Sequence, residues 1–211
     1  MSDNGIVEAP GRGFRFLPLA RPFSAGVVAA PGFEIRRREF HPPRALEALP
    51  DLPLCAVELR SPAPMGADAF RALNRRYEAV LRKRGLLVDG RSPLARTNVC
   101  PVDDPPEDVV IHAVAWTVPG TRGGFVVSGI AEVPDASGSY PARIVRRGDV
   151  TPEGLREKLR WVHAALDGRR AALGVTGGTT TLYSAHALPG AVRARPPLVE
   201  LEVEVDARQV G

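Results

Sequence analysis

The stretch ADAFRALNRRYEAVLRKR, residues 67–84, carries the clearest structural signal in the chain. Phe70, Leu73, Tyr77, Val80 and Leu81 fall at the three- and four-residue spacing of one helical face, and Gly85 stands where a left-handed C-terminal cap is wanted. A helix with one apolar stripe needs a sheet to cover. Strand-like runs flank it: LCAVEL at 54–59 before it, and residues 95–102 and 109–118 after it, the last two split by Asp103-Asp104-Pro105-Pro106. Upstream, residues 26–30 and 33–40 are short β-like runs, the second stopped by His41-Pro42-Pro43. Residues 1–20, rich in Gly, Pro and polar groups, are expected to be a flexible N-terminal arm that settles only near Phe14 and Phe16.

The run PGTRGG at 119–124 breaks the chain, and a second strand–helix pattern follows. Residues 125–133 read as a strand, and 135–143 as a turn-rich excursion leading to a short apolar run at Ile144 and Val145. Thr151-Pro152 opens a helix with an N-cap hydroxyl and a proline at its first position. Leu155, Leu159, Val162 and Leu166 give that helix its buried stripe. Residues 179–184 are β-branched and strand-like, and LVELEVEV at 198–205 alternates an acidic face with a dry one. Strands and helices therefore alternate in an α+β pattern, with helices packed on one face of mixed sheets.

With 211 residues, 44% apolar and 25% charged, the chain has the composition of an ordinary soluble globular protein. Its formal charge is +4, carried by 26 Arg and only 2 Lys. The arginines are scattered among 24 acids and no aromatic residues interleave with them to stack on bases, so a solvated Arg-rich surface is favoured over nucleic-acid binding. Two cysteines, Cys55 and Cys100, fit a reducing compartment; with no targeting segment or membrane-length apolar run, a cytoplasmic location is expected. No GxxxxGK[ST], GxGxxG after a strand, GxSxG, HExxH or CxxC occurs, and the four histidines are dispersed, so neither a metal nor a cofactor is expected. Gly177-Gly178 before Thr179 is explained by a turn before a strand as well as by a phosphate nest.

Several strings, in order, resemble the Rid (YjgF/RidA) family of small enamine and imine deaminases. Arg21-Pro22-Phe23-Ser24-Ala25-Gly26-Val27-Val28 resembles its opening PYSQAV strand, and Phe70 to Tyr77 its F-x-x-x-N-x-x-Y helix. Leu94-Ala95-Arg96-Thr97-Asn98-Val99-Cys100 resembles the ARTTV strand, and Val109 to Ala115 the closing VEIEAVA strand. In the rest of the chain, Phe125 to Gly129 is similar to FVSGQ, Gly148-Asp149 to the start of the next helix, Thr180 to Tyr183 to TTVYL, and Leu198 to Glu202 to LVEIE. Neither half is complete: the first has only Arg44 to Leu49 where a crossover helix belongs, and the second passes from the Tyr183 strand almost directly to the last one. The resemblance thus implies a Rid-like, YjgF/chorismate-mutase-like fold in two degenerate copies, residues 21–118 and 119–211, an arrangement similar to the larger chorismatases.

That resemblance implies a small carboxylate substrate bearing an enamine or imine, hydrolysed through an activated water. A planar guanidinium fixed on a strand can hold a carboxylate through two parallel hydrogen bonds, so Arg96 is the expected anchor. His112 stands where the family has a glutamate, and Glu202 holds the equivalent place in the second half; either would handle the proton. An isolated histidine on VVIHAVA reads equally as a satisfied core residue. Asn74, Ser128 and Gly129 would orient the substrate, Phe23 and Ser24 would line the pocket wall, and Cys100 is expected to pack beside the site. The resemblance implies a homo-oligomer, a trimer, and the fusion suggests a specialised role in secondary metabolism. Two other readings stay open: a chorismatase-like enzyme acting on an enol-ether carboxylate, and a non-catalytic module that binds small carboxylates.

Overall fold

The computed structural model of the chain describes residues 5–19, 23–134 and 139–211. Helix α1 (Ala67–Lys83) buries Leu73, Tyr77 and Leu81, with Phe70 and Val80 partly buried beside them, and Gly85 takes the left-handed conformation (φ +62°) just past its end. Helix α2 (Pro152–Leu173) begins at Thr151, whose side chain accepts the Gly154 N–H at 3.1 Å. It buries Leu155, Val162, Leu166 and Leu173 and ends at Gly174 (φ +69°). Both helices therefore stop where local chemistry directs, and α2 also starts there.

The strands are β1 (Val7–Ala9), β2 (Phe14–Pro18), β3 (Ser24–Ala29), β4 (Phe33–Ala45), β5 (Leu54–Arg60), β6 (Ala95–Pro101), β7 (Val110–Pro119), β8 (Phe125–Ala131), β9 (Thr179–Ser184), β10 (Val192–Arg195) and β11 (Val203–Gln209). They form one mixed sheet in the order β1-β2-β3-β8-β11-β9-β10-β6-β5-β7-β4. One half, β4-β7-β5-β6, shares a core with α1; the other, β1-β2-β3-β8-β11-β9-β10, carries α2 on β8, β11 and β3. The halves join where β10 pairs antiparallel with β6, at Ala194↔Pro101 and Arg195↔Cys100. The sheet then folds back so that β6 lies against β8 and β3. The α+β class with mixed strands is therefore present.

Several local readings are corrected. Residues 5–19 of the expected arm are not loose: β1 and β2 pair, and Phe14 and Phe16 are fully buried. β3, read as part of the first unit, pairs with β2 and β8 and so belongs to the second half's sheet. The prolines at 42 and 43 do not end β4, which continues to Ala45 across a register shift between Glu39 and Arg44. β4 is a sheet edge, where a missing N–H costs no ladder bond. The final strand starts at Val203, not Leu198, and β10 carries no alternation that marks it in the sequence. The described part of the turn-rich excursion holds a 3₁₀ turn at Tyr140–Arg143, directly before Ile144 and Val145. Arg21 and Pro22 of the opening string lie outside the described residues.

A buried ion pair sets where β11 begins. Lys158 Nζ on α2 meets Glu132 Oε1 at 3.2 Å with neither side chain exposed, and Glu132 also accepts the N–H groups of Glu202 (2.7 Å) and Val203 (3.2 Å). The carboxylate thus compensates a charge and two backbone donors at once. This fixes the register that follows.

Candidate active site

The site begins with an unfilled strand edge. β5 runs parallel to β6 and engages its odd-numbered backbone groups; the Val99 carbonyl, for example, accepts the Ser61 N–H at 3.0 Å. The even-numbered groups face the other way, where β10 reaches only the far end of β6, from Cys100 to Val102. Buried N–H groups need partners, and side chains of the second half supply them. Ser128 Oγ accepts the Arg96 N–H at 3.0 Å and donates to the Ser24 carbonyl at 2.8 Å. The Asn98 N–H reaches the carboxyl of Glu204. What remains between the halves is a cavity of about 350 Å³, within the range of small-molecule sites, lined among others by Arg96, Asn98, Gly129, Glu204, Arg143 and Arg169. A recess of about 190 Å³ opens from it past Phe23, Ser24, Tyr77 and Ser128.

Arg96 is held on all sides but the cavity. Its Nη1 donates to Asn74 Oδ1 at 3.0 Å, and its guanidinium carbon lies 4.6 Å from the Phe23 ring centroid, 5.0 Å from Tyr77 and 5.9 Å from Phe70. Aromatic faces replace part of its water shell without neutralising its charge. Desolvation lowers its pKa, yet a guanidinium stays charged under any physiological condition. Glu204 responds in the opposite direction. Burial raises its carboxyl, the Asp206 charge pushes the same way, and Arg96, the Asn98 N–H and Arg60 pull back only partly, leaving it at about 8. Near neutrality the desolvated Arg96 cation therefore shares the cavity with a protonated Glu204. Gly129 leaves room beside them: a Cβ there would collide with Glu204 Oε1 and displace the carboxyl.

Behind Glu204 the same face of β11 continues into a polar network. Asp206 Oδ2 accepts Thr97 Oγ1 at 2.9 Å and Tyr183 OH at 3.0 Å, and burial raises the Asp206 carboxyl. Arg208 bridges onward to Glu58, which also receives Arg37 through two bonds of 2.6 and 2.8 Å. Burial alone would raise Glu58, but the Arg37 bond and the charges of Arg208, Arg37 and Arg60 bring it down to about 2. This network fixes β11 against β6. Glu204 is thereby held in place.

The structure brings together Arg96, Phe23, Ser24, Ser128 and Gly129, but not in every role expected of them. Asn74 holds the Arg96 guanidinium and does not line the cavity, and the Ser128 hydroxyl is spent on the strand edge. Cys100 is buried outside the lining, and burial, then the Glu204 charge, push its thiol up to about 12. His112 and Glu202, the expected proton carriers, are not among the residues that line the cavity or its recess. His112 sits half-buried 3.8 Å from Glu39, its pKa lowered first by burial and then by Arg60. Glu202 pairs with His186 at 2.8 Å. The acid that faces Arg96 is Glu204, two residues along. Shifted by two residues, the string laid on Leu198 to Glu202 also fits Glu200-Leu201-Glu202-Val203-Glu204 apart from its leading leucine, and the choice between them needs the start of β11. Among the described residues no three His, Cys, Asp or Glu side chains cluster to hold a metal ion, and no helix is long and apolar enough to cross a membrane.

Comparison with known proteins bears on this arrangement. Residues 6–193 match the family described as 2-aminomuconate deaminase CnbZ. The chain is 35% identical, over 242 residues covering 97% of it and 96% of the relative, to a 2-amino-5-chloromuconate deaminase of Comamonas testosteroni. No solved structure matches the chain.

Proposed function

Because the chain belongs to the 2-aminomuconate deaminase CnbZ family, we propose that it deaminates a 2-aminomuconate-like enamine by hydrolysis in the cavity between its two halves. Such a substrate is a linear dicarboxylate with conjugated double bonds and an amino group on C2, next to one carboxylate. The observation that carries the reading is a desolvated guanidinium sharing a cavity with a carboxyl held protonated near neutrality. Arg96 takes the carboxylate at C1. That anion offsets the charge that draws the Glu204 pKa down, so the proton stays on Glu204.

The Glu204 carboxyl gives its proton to a carbon of the enamine chain as the nitrogen lone pair forms the C2=N bond. Water then adds to C2 and its proton goes to the Glu204 carboxylate, giving a carbinolamine. Asn98 lines the cavity with a buried Nδ2 that has no partner among the described residues, a donor for the new hydroxyl. Glu204 moves the hydroxyl proton to nitrogen, and ammonia leaves with a 2-oxo product. One water is consumed, and Glu204 ends protonated as it began.

In this reading the halves are two Rid-like units that build one site within a single chain. Each sets its helix between two parallel strands, β5 and β6 in the first and β8 and β9 in the second. They differ in that β11 stands inside the second pair and β7 outside the first. The test is ammonia release from 2-aminomuconate by the purified chain. Wild type should exceed the spontaneous rate, and Arg96→Ala or Glu204→Gln should each lower kcat/KM by about 100-fold or more. No acceleration by wild type would sink the proposal.

A further inference from the structure

We propose that Arg143 binds the second, distal carboxylate and makes the site selective for dicarboxylates over monocarboxylates of the same chain length, an inference that rests on the deaminase reading for its substrate class. Three guanidinium groups line the cavity, from Arg96, Arg143 and Arg169, and Glu204 is the one carboxyl among its described lining residues. The three are not equivalent in position. Arg96 also lines the recess that Ser128 lines, and Arg169 Nη1 donates to the Ser128 carbonyl at 3.3 Å, so both belong to the Ser128 end. Arg143, on the turn Tyr140–Arg143, donates from Nη1 to the Pro134 carbonyl at 2.6 Å, beyond the far end of β8. Arg143 and Arg96 are thus tied to opposite ends of the segment that floors the cavity.

Arg143 is also incompletely used. With Nη1 committed to Pro134, its Nε–H is buried and has no partner among the described residues. A buried donor left unmade is costly and asks for an acceptor. Nε and Nη2 form the side edge of the guanidinium that matches the two oxygens of a carboxylate. Arg143 is a substrate-binding residue, remote from the carbon that is protonated.

The experiment compares muconate and sorbate, unreactive six-carbon dienes with two carboxylates and one, by calorimetric titration of wild type and Arg143→Gln. Wild type should bind muconate about 10- to 100-fold more tightly than sorbate, and Arg143→Gln should erase the difference while sorbate binding stays unchanged. With 2-aminomuconate, the variant should raise KM by a similar factor and leave kcat within about 3-fold, a removal of uniform binding. Equal affinities in wild type, binding of neither diene, or muconate affinity unchanged by Arg143→Gln would overturn the assignment. A wild type that discriminates between the dienes yet does not turn over 2-aminomuconate would overturn the deaminase reading alone. Arg143→Lys, which keeps charge without the fork, should fall between the two proteins.

Discussion

Replacing Glu204 by Gln should stabilise the protein while destroying its activity, and the stabilisation should depend on pH in a defined way. The folded state holds the Glu204 carboxyl at about 8 because burial and Asp206 oppose its ionisation, whereas the ordinary value of a glutamate in an unfolded chain is 4.5. With the folded pKa the higher, the wild type has its full stability from this group below about 4.5, loses it progressively as pH rises, and reaches the full loss once pH passes about 8. At pH 7 the unfolded chain has released a proton that the folded chain must keep. At about 1.4 kcal/mol per pH unit over the interval from 4.5 to 7, the cost to the wild type is about 3 kcal/mol. Glutamine has no proton to lose and approximates the neutral acid in shape and polarity. The variant should therefore gain about 3 kcal/mol at pH 7 and close to nothing at pH 4. At roughly 2–4 °C per kcal/mol for a chain of this size, Tm should rise by about 6–12 °C at pH 7. Paired thermal unfolding at pH 4, 7 and 8.5, with ammonia release measured on the same samples, reads both effects. A Tm difference that does not vary with pH, or a variant less stable throughout, would mean that Glu204 is ionised in the fold. It could not then deliver the first proton.

Other consequences can be checked separately. For wild type, kcat/KM for 2-aminomuconate should fall as pH rises through about 8, because the acid form of Glu204 starts the reaction; a rate that climbs through that range in stopped-assay profiles would assign it the opposite role. Gly129→Ala puts a methyl group into the Glu204 carboxyl and should cost about 1–3 kcal/mol in denaturant titration, along with most of the activity. His112→Ala and Glu202→Gln should keep kcat/KM within about 3-fold of wild type, since neither side chain lines the cavity. Asn74→Ala should act through Arg96, raising KM for 2-aminomuconate by about 10-fold as the guanidinium loses its anchor, with the pH profile unmoved.

The helices were legible because their information is local. The stripe from Phe70 to Leu81, the Thr151 cap, Pro152 and the terminal glycines act within a turn or two of the chain, and the structure places both helices within a residue or so of those signals where the signals mark an end. Strands 95–101, 110–119, 125–131 and 179–184 were similarly visible from their β-branched and apolar runs. Arg96 was singled out by its neighbours along β6, which resemble the Rid family's ARTTV strand, and the structure puts it in the cavity wall.

What no stretch of sequence contains is which edges meet. β3 follows the N-terminal hairpin and precedes β4, yet pairs with β8, about a hundred residues away in the chain. That pairing and the β6–β10 junction leave the even-numbered edge of β6 open, and the opening is the cavity. The choice between Glu202 and Glu204 follows the same logic. Both lie on one face of an alternating run, and composition treats them alike. They are separated by the Glu132–Lys158 pair, which takes the N–H groups of residues 202 and 203, so that Glu202 turns to His186 while Glu204 enters the seam beside Arg96. Residue type and local periodicity settle which segments are helix or strand and which side chains have the necessary chemistry. Long-range pairing, whose free energy comes from burial and hydrogen bonds between distant segments, settles which of those side chains share a desolvated space, and so which of them has an altered proton affinity.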